Sequence, residues 1–402
     1  MEPLLRATVS IGILVFTGKM LAGLMRSLRL PSILGDLLAG IVLSPYALGG
    51  GVVIFGEPLV VVNEYVRAFA EIGVIMLLFA AGIEMGLTSL RRTGTFAALV
   101  ALSGGLIPYA ASFAIYRLMG EATESALIAS TVFMATGVAI TLETLREVGL
   151  IGSEVGEVLI NSAVMNDILV LSALGVTLGA VESGVRLSLS YVVVRGALFV
   201  GAWLLVLAAA TFLIPPIVDQ AARLGARGAA ETVAVSLCFI AAAGAGAVGL
   251  SPLLGAYSAG LAVGEARSEE DVGEFVESLR LLFGSLFFTY VGTLVDPRLF
   301  LESSVVSATL LLSTVALVVK TLASAAPAAL RFPVRQALSI GMGMVPMGDL
   351  GLVVASMAMQ TGALGLREYA ELVGVAAVTT FLAPALFTRM CAYARAEPGP
   401  RT

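Results

Sequence analysis

Apolar residues run along this chain in long blocks separated by short polar punctuation. The blocks fall near 5–25, 31–50, 66–88, 95–118, 123–145, 154–179, 190–214, 230–249, 251–266, 276–295, 303–326, 336–361 and 369–391. A helix that crosses a bilayer needs about 20 apolar residues, because its length must match the hydrocarbon and its backbone bonds must be satisfied internally. The pattern therefore predicts an all-α polytopic membrane protein with about 13 transmembrane helices. The ninth block, 251–266, is short and is expected to tilt and pair tightly with the eighth. Loops after odd-numbered blocks, with the C-terminal stretch, hold most of the arginines, among them Arg26, Arg29, Arg91, Arg92, Arg223, Arg227, Arg331 and Arg335. The opposite side holds Arg67, Arg117, Arg186, Arg195, Arg298 and Arg367. Basic residues concentrate in cytoplasmic loops, so this bias predicts an N-terminus outside, a C-terminus in the cytoplasm and a cell (inner or plasma) membrane location.

Composition agrees with the pattern. The chain is 58% hydrophobic and 13% charged with a mean hydropathy of +1.00, whereas soluble chains are about a quarter charged. It has no histidine, which excludes imidazole as a proton carrier and disfavours zinc. Cys238 and Cys391 fall in separate blocks and are expected to be free thiols. No GxxxxGK[ST] loop occurs, so the expectation is a transporter driven by ion gradients, not an enzyme, with no nucleotide site and no cofactor beyond the ions it moves. The start, MEPLLRATVSIG, lacks a basic leader and a small-residue cleavage site, so the first helix is expected to be retained. The stretch EARSEEDVGEFVESLR, residues 265–280, is expected to be an acidic amphipathic segment at the inner surface.

Against this background a few polar residues stand out. An ionisable group at the bilayer centre costs about 2.5–3.5 kcal/mol on insertion scales, and it usually faces protein or water. Asp167, in NSAVMNDILVL, is the carboxylate deepest in a block. Asn166 precedes it, and Ser162 lies one helical turn before Asn166. Carboxylate, amide and hydroxyl oxygens suit a hard monovalent cation, and the carboxylate can hold a proton instead. The only lysines, Lys19 and Lys320, both fall inside blocks; Lys19 reads as a snorkelling anchor, Lys320 as a candidate for charge compensation. Two blocks read as broken helices: Thr136 and Gly137 interrupt 131–145, and Gly341, Gly343, Pro346, Gly348 and Gly351 interrupt 341–354. Matching interruptions in two halves point to a midplane transport site between inverted repeats. Asp349 follows the second interruption as a secondary candidate.

PSILGDLLAGIVLSP (31–45), AEIGVIMLLFAAGIEM (70–85), ATGVAITLETLREVGL (135–150), NSAVMNDILVL and MGMVPMGDLGLVVA (342–355) occur in an order that resembles the monovalent cation/proton antiporter superfamily, especially prokaryotic sodium/proton antiporters and Kef-type potassium efflux systems. The resemblance implies two crossed discontinuous helices and an elevator-type exchanger built of two domains. A panel that forms a homodimer would comprise 1–90 and 229–295, a moving core 94–180 and 303–392, joined by a connecting helix at 190–214, with 393–402 a short tail. It also implies ion-binding roles for Asp167 and Asn166, a crossover role for Thr136 and a core-helix role for Lys320. The chain departs from electrogenic relatives, which carry two adjacent aspartates where this sequence has Asn166 and Asp167. It departs from other Asn-Asp relatives too, since Asn161, Ser162 and Met347 stand where those carry an ion pair. The reading that follows is electroneutral exchange of one monovalent cation, Na+ before K+ or Li+, against one proton, serving pH homeostasis. Alternatives are a Kef-like potassium efflux pore or a gradient-coupled organic-anion symporter.

Overall fold

The structure, a computed structural model, describes residues 2–28, 30–54, 56–92, 95–150, 152–182, 189–224, 226–248 and 250–395; within these, some side chains, Asp349 included, lie outside the described set. The chain is helical: α1 (Pro3–Ser27), α2 (Ser32–Val42), a single turn α3 (Leu48–Gly51), a two-residue ribbon β1 (Val53–Ile54) and β2 (Glu57–Pro58), then α4 (Glu64–Arg92), α5 (Thr95–Leu118), α6 (Thr123–Met134), α7 (Val138–Glu147), α8 (Glu154–Glu182) and α9 (Leu189–Arg223). The second half holds α10 (Ala229–Ala247), α11 (Pro252–Val263), α12 (Glu269–Thr293), α13 (Ser303–Val315), α14 (Thr321–Ala328), α15 (Val334–Gly343), α16 (Gly348–Gln360) and α17 (Leu366–Arg395). A π-turn over Ala316–Lys320 joins α13 to α14. Each of the thirteen apolar blocks lies in helix, some unbroken and some interrupted, and among the described residues nine helices are long and apolar enough to cross a membrane. The protein is a multi-pass membrane protein.

The acidic stretch 265–280 is amphipathic, with Val272 and Val276 buried and Glu269, Glu270, Asp271 and Glu274 exposed, and from Glu269 it forms the first turns of α12, which runs on into the apolar LFGSLFFTYVGT. Two local expectations change. The seventh helix does not stop before Pro215 and Pro216 but continues to Arg223. It continues because Ala210, Ile214, Val218 and Ala221 form a buried stripe at helical spacing, three of them packed into one apolar cluster. The antiparallel ribbon in GVVIFGEPLVV, turning at Gly56 with φ 79°, has a strand too short to leave a periodic signal.

The helices sort into two compact units, each drawing on both halves of the chain. Unit 1 comprises Met1–Leu24, Gly35–Arg92 and Glu182–Leu294; unit 2 comprises Met25–Leu34, Thr93–Val181 and Val295–Thr402. In unit 1, α4 packs against α11 and α12. The α4–α11 crossing is backbone to backbone: a Cβ on Gly82 would lie 2.4 Å from the Tyr257 carbonyl oxygen, and one on Gly260 2.2 Å from that of Phe79. Water-driven burial does not distinguish helix from lipid, so close van der Waals approach through small residues carries such contacts. Trp203 Nε1 donates to Ser258 Oγ at 3.1 Å, and Ser285 donates to the buried carboxylate of Asp36. Unit 2 packs α5 on α6 and α14, with α17 against α13, α15 and α16.

Candidate functional site

Within unit 2 two helices are interrupted. The chain leaves helix at Ala135, Thr136 and Gly137, between α6 and α7, and again from Met344 to Met347, between α15 and α16. Pro346 supplies no N–H and disfavours helical backbone at Val345, while Gly348 starts α16 with φ +54°, a conformation L side chains resist. Where the two breaks meet, each satisfies backbone groups the other has freed. Gly137 N donates to the Pro346 carbonyl at 2.6 Å. Thr136 Oγ1 donates to the Met344 carbonyl at 2.9 Å, and Thr141 Oγ1 to that of Gly343 at 3.0 Å. The approach depends on two missing side chains, since a Cβ on Gly137 would lie 2.8 Å from Gly348 Cα and one on Gly348 2.6 Å from Gly137 Cα.

The C-terminal end of α6 points its free carbonyls into this junction and carries the negative end of the helix dipole. Lys320, fully buried, answers them: Nζ donates to the carbonyls of Met134 at 2.8 Å, Phe133 at 3.3 Å and Ala135. It sits at the end of the π-turn, a widening of the helix that recurs at functional positions. From α8, Asn166 Nδ2 donates to the Met134 carbonyl and, at 3.1 Å, to Thr136 Oγ1. Asn166 Oδ1 and Ser162 Oγ, one turn apart on α8, are buried with no hydrogen-bond partner among the described residues. Asp167, half-buried beside Asn166, lies within electrostatic reach of Lys320.

Thus Thr136, Asn166, Lys320 and Asp167 gather at one helix end, with Ser162 one turn along α8. Asp349 is the second residue of α16, and its side chain lies outside the described residues. Lys19 is exposed on α1, in unit 1. Sequence reasoning overlooked Thr141 and Thr144, which line a small cavity with Leu159, Met342, Gly343, Pro346 and Phe387 beside the junction. A second hydroxyl five residues after Thr136 was the available signal. The hydrogen-bond partners of Lys320 are main-chain carbonyls, which no side-chain pattern displays.

Two interrupted membrane helices that meet at their breaks, with a carboxylate and a lysine at the exposed helix ends, define a broken-helix secondary transporter. The model of a family described as the transmembrane region of sodium/hydrogen exchangers matches residues 12–392, and the chain belongs to that family. It is 30% identical over 349 residues to the high-affinity Na+/H+ antiporter NhaS3 of Synechocystis, covering 84% of this chain and 74% of that protein. It is 28% identical to a Na+/H+ antiporter of Enterococcus hirae, covering 89% and 91%, and 25% identical to the Na+/H+-K+ antiporter GerN of Bacillus cereus, covering 93% of each. Its fold matches that of the sodium/proton antiporter MjNhaP1 of Methanocaldococcus jannaschii with a TM-score of 0.74 at 16% identity, across 98% of this chain and 100% of the other.

Proposed function

We propose that this protein is a monovalent cation/proton antiporter, with Na+ the preferred cation, in which cation and proton compete for Asp167. The observation that carries the reading is the Asn166–Asp167 pair set beside the carbonyl end of α6, where Lys320 already neutralises the helix dipole. Asn166 Oδ1 and Ser162 Oγ, without hydrogen-bond partners among the described residues, stand on α8 beside the Asp167 carboxylate as oxygens suited to a cation, and membership in the sodium/hydrogen exchanger family supports the choice of ion. Protonation of Asp167 removes the charge that holds the cation, so one occupant excludes the other. Moving a bare carboxylate through an apolar barrier costs more than moving a neutralised one, and this difference enforces exchange. With Lys320 engaged by main-chain carbonyls throughout the cycle, one cation for one proton leaves no net charge movement.

Unit 2 is the moving element in this reading and unit 1 the stationary one, through which two copies form a homodimer in the cell membrane. Each unit combines first-half and second-half helices, as inverted repeats require. The protein would serve pH homeostasis from a membrane orientation with its N-terminus outside.

The test is cation-driven proton movement in proteoliposomes, with membrane potential free or clamped to zero. Wild-type protein is expected to move protons with Na+ at a rate indifferent to the clamp. Asp167→Asn is expected to fold and elute normally and to abolish exchange. Retained exchange in that variant would overturn the assignment of Asp167, and a rate that follows the clamp would overturn electroneutrality.

A further inference from the structure

Both α6 and α16 lead away from the junction to one end of unit 2, where the 119–122 loop meets the start of α17. Three carboxylates gather there. The Glu121 and Glu368 carboxyls lie side by side, within reach of a shared proton, and each like charge disfavours ionisation of Glu121. Glu371, one turn further along α17, is 8% exposed and feels both of them. Above them Tyr116, fully buried and fixed edge-on against Phe133, has a hydroxyl with no hydrogen-bond partner among the described residues; its electrostatic neighbours are Glu371, Glu368 and Glu121. A phenol can donate to a carboxylate or accept from a carboxylic acid, so an unpartnered hydroxyl beside these groups is compatible with either protonation state of the cluster.

We propose that Glu121, Glu368 and Glu371, capped by Tyr116, form an accessory proton-binding site at the mouth of unit 2 from which α6 descends to the junction. The distance along α6, from Thr123 to Met134, is about 17 Å at 1.5 Å per residue. Among the described residues no basic group offsets the like charges at Glu121: Arg367 donates to Glu302 and acts electrostatically on Glu371, and the Arg117 guanidinium donates to the Glu121 main-chain oxygen. Glu124 in the first turn of α6 adds a further acid. The N-terminal ends of α6 and α17 offer partial positive charge to Glu121 and Glu368. They do not offset the repulsion among the acids, since half a charge per helix end faces three carboxylates. A proton fits better than a metal ion, because no three acidic groups among the described residues converge closely enough to ligate one. Burial first, and Glu368 second, hold Glu121, which lies in the loop before α6, above the ordinary carboxylate range.

That the site feeds protons to the exchanger rests on the exchange reading; that it binds a proton does not. The test follows the infrared carbonyl stretch of protonated carboxyl groups in the purified protein as pH is raised. Wild-type protein is expected to show a carboxyl titrating above the usual range, Glu121→Gln to lose that signal, and Glu368→Gln to move it about one pH unit lower, by removing a like charge. Tyr116→Phe is expected to move the midpoint upward, because the ionised form loses a nearby hydroxyl that could turn to donate to it. Identical titrations in wild type, Glu121→Gln and Glu368→Gln would overturn the site. If Glu121→Gln does not fold, Glu368→Gln alone decides by the same midpoint. The pH profile of Na+-driven exchange is expected to shift with Glu368→Gln in the same direction. Absence of exchange in wild-type protein would remove the exchange reading and leave the infrared result to judge the site.

Discussion

Lys320 illustrates how a residue can be conspicuous in sequence while its partners are not. A lysine in VVKTLASAAP invites a search for a nearby acid, yet its hydrogen bonds go to three carbonyls at the end of α6. Its removal should therefore act first on stability. Lys320→Met is expected to lower the thermal midpoint of the detergent-solubilised protein by a loss of about 2–5 kcal/mol, since buried acceptors are left without donors at roughly 1–3 kcal/mol each. Thr136 belongs to the same network, donating to Met344 and accepting from Asn166. Thr136→Val, which keeps the shape and loses the hydroxyl, is expected to cost about 1–3 kcal/mol, and Thr136→Ser to restore most of it; a thermal melt of the three proteins checks this. Asp167, Asn166 and Lys320 were legible because polar atoms are expensive in apolar helices. Thr141 was not, since a threonine in a membrane helix more often donates to its own preceding turn, as Thr141 also does toward Gly137.

At the scale of elements, the junction depends on two helices stopping where they meet. Glycine and proline announced both interruptions, but their number in the second stretch left open which glycine mattered. Gly348 decides, through its positive φ and its contact with Gly137. Gly348→Ala is expected to abolish exchange and lower the melting midpoint, whereas Gly362→Ala, at a positive φ in open space, is expected to cost stability through backbone strain alone and to spare exchange. In unit 1 the corresponding test is Gly260→Val, expected to prise α11 from α4 and to reduce the yield of folded protein, measured by size-exclusion profile. The course of α9 through Pro215 and Pro216 shows the limit of local patterns: the apolar block ended at 214, just before the two prolines, and a buried stripe that continues through Val218 and Ala221 carries the helix on.

Across the whole molecule, acidity should read out on the cluster at the mouth of unit 2. Glu121 binds its proton more tightly in the folded protein than in the unfolded chain. Between the ordinary carboxylate range, near about pH 4, and the raised value, the folded state holds more protons, so stability falls as pH rises through that window. Glu121→Gln is expected to flatten that slope in melts recorded across it. The membrane character, the order of apolar helices, the two interruptions and the ionisable residues within them were all determined by the sequence alone. The reason is that each is a local property: hydropathy over about 20 residues, backbone rules at glycine and proline, or the cost of a charge in hydrocarbon. Which helix ends face one another, that Lys320 donates to the carbonyls at the end of α6, and that Glu121 meets Glu368 across more than half the chain were decided only by tertiary structure. Such contacts join positions far apart in sequence through main-chain atoms or through like charges brought side by side, and neither leaves a trace in the pattern of side chains.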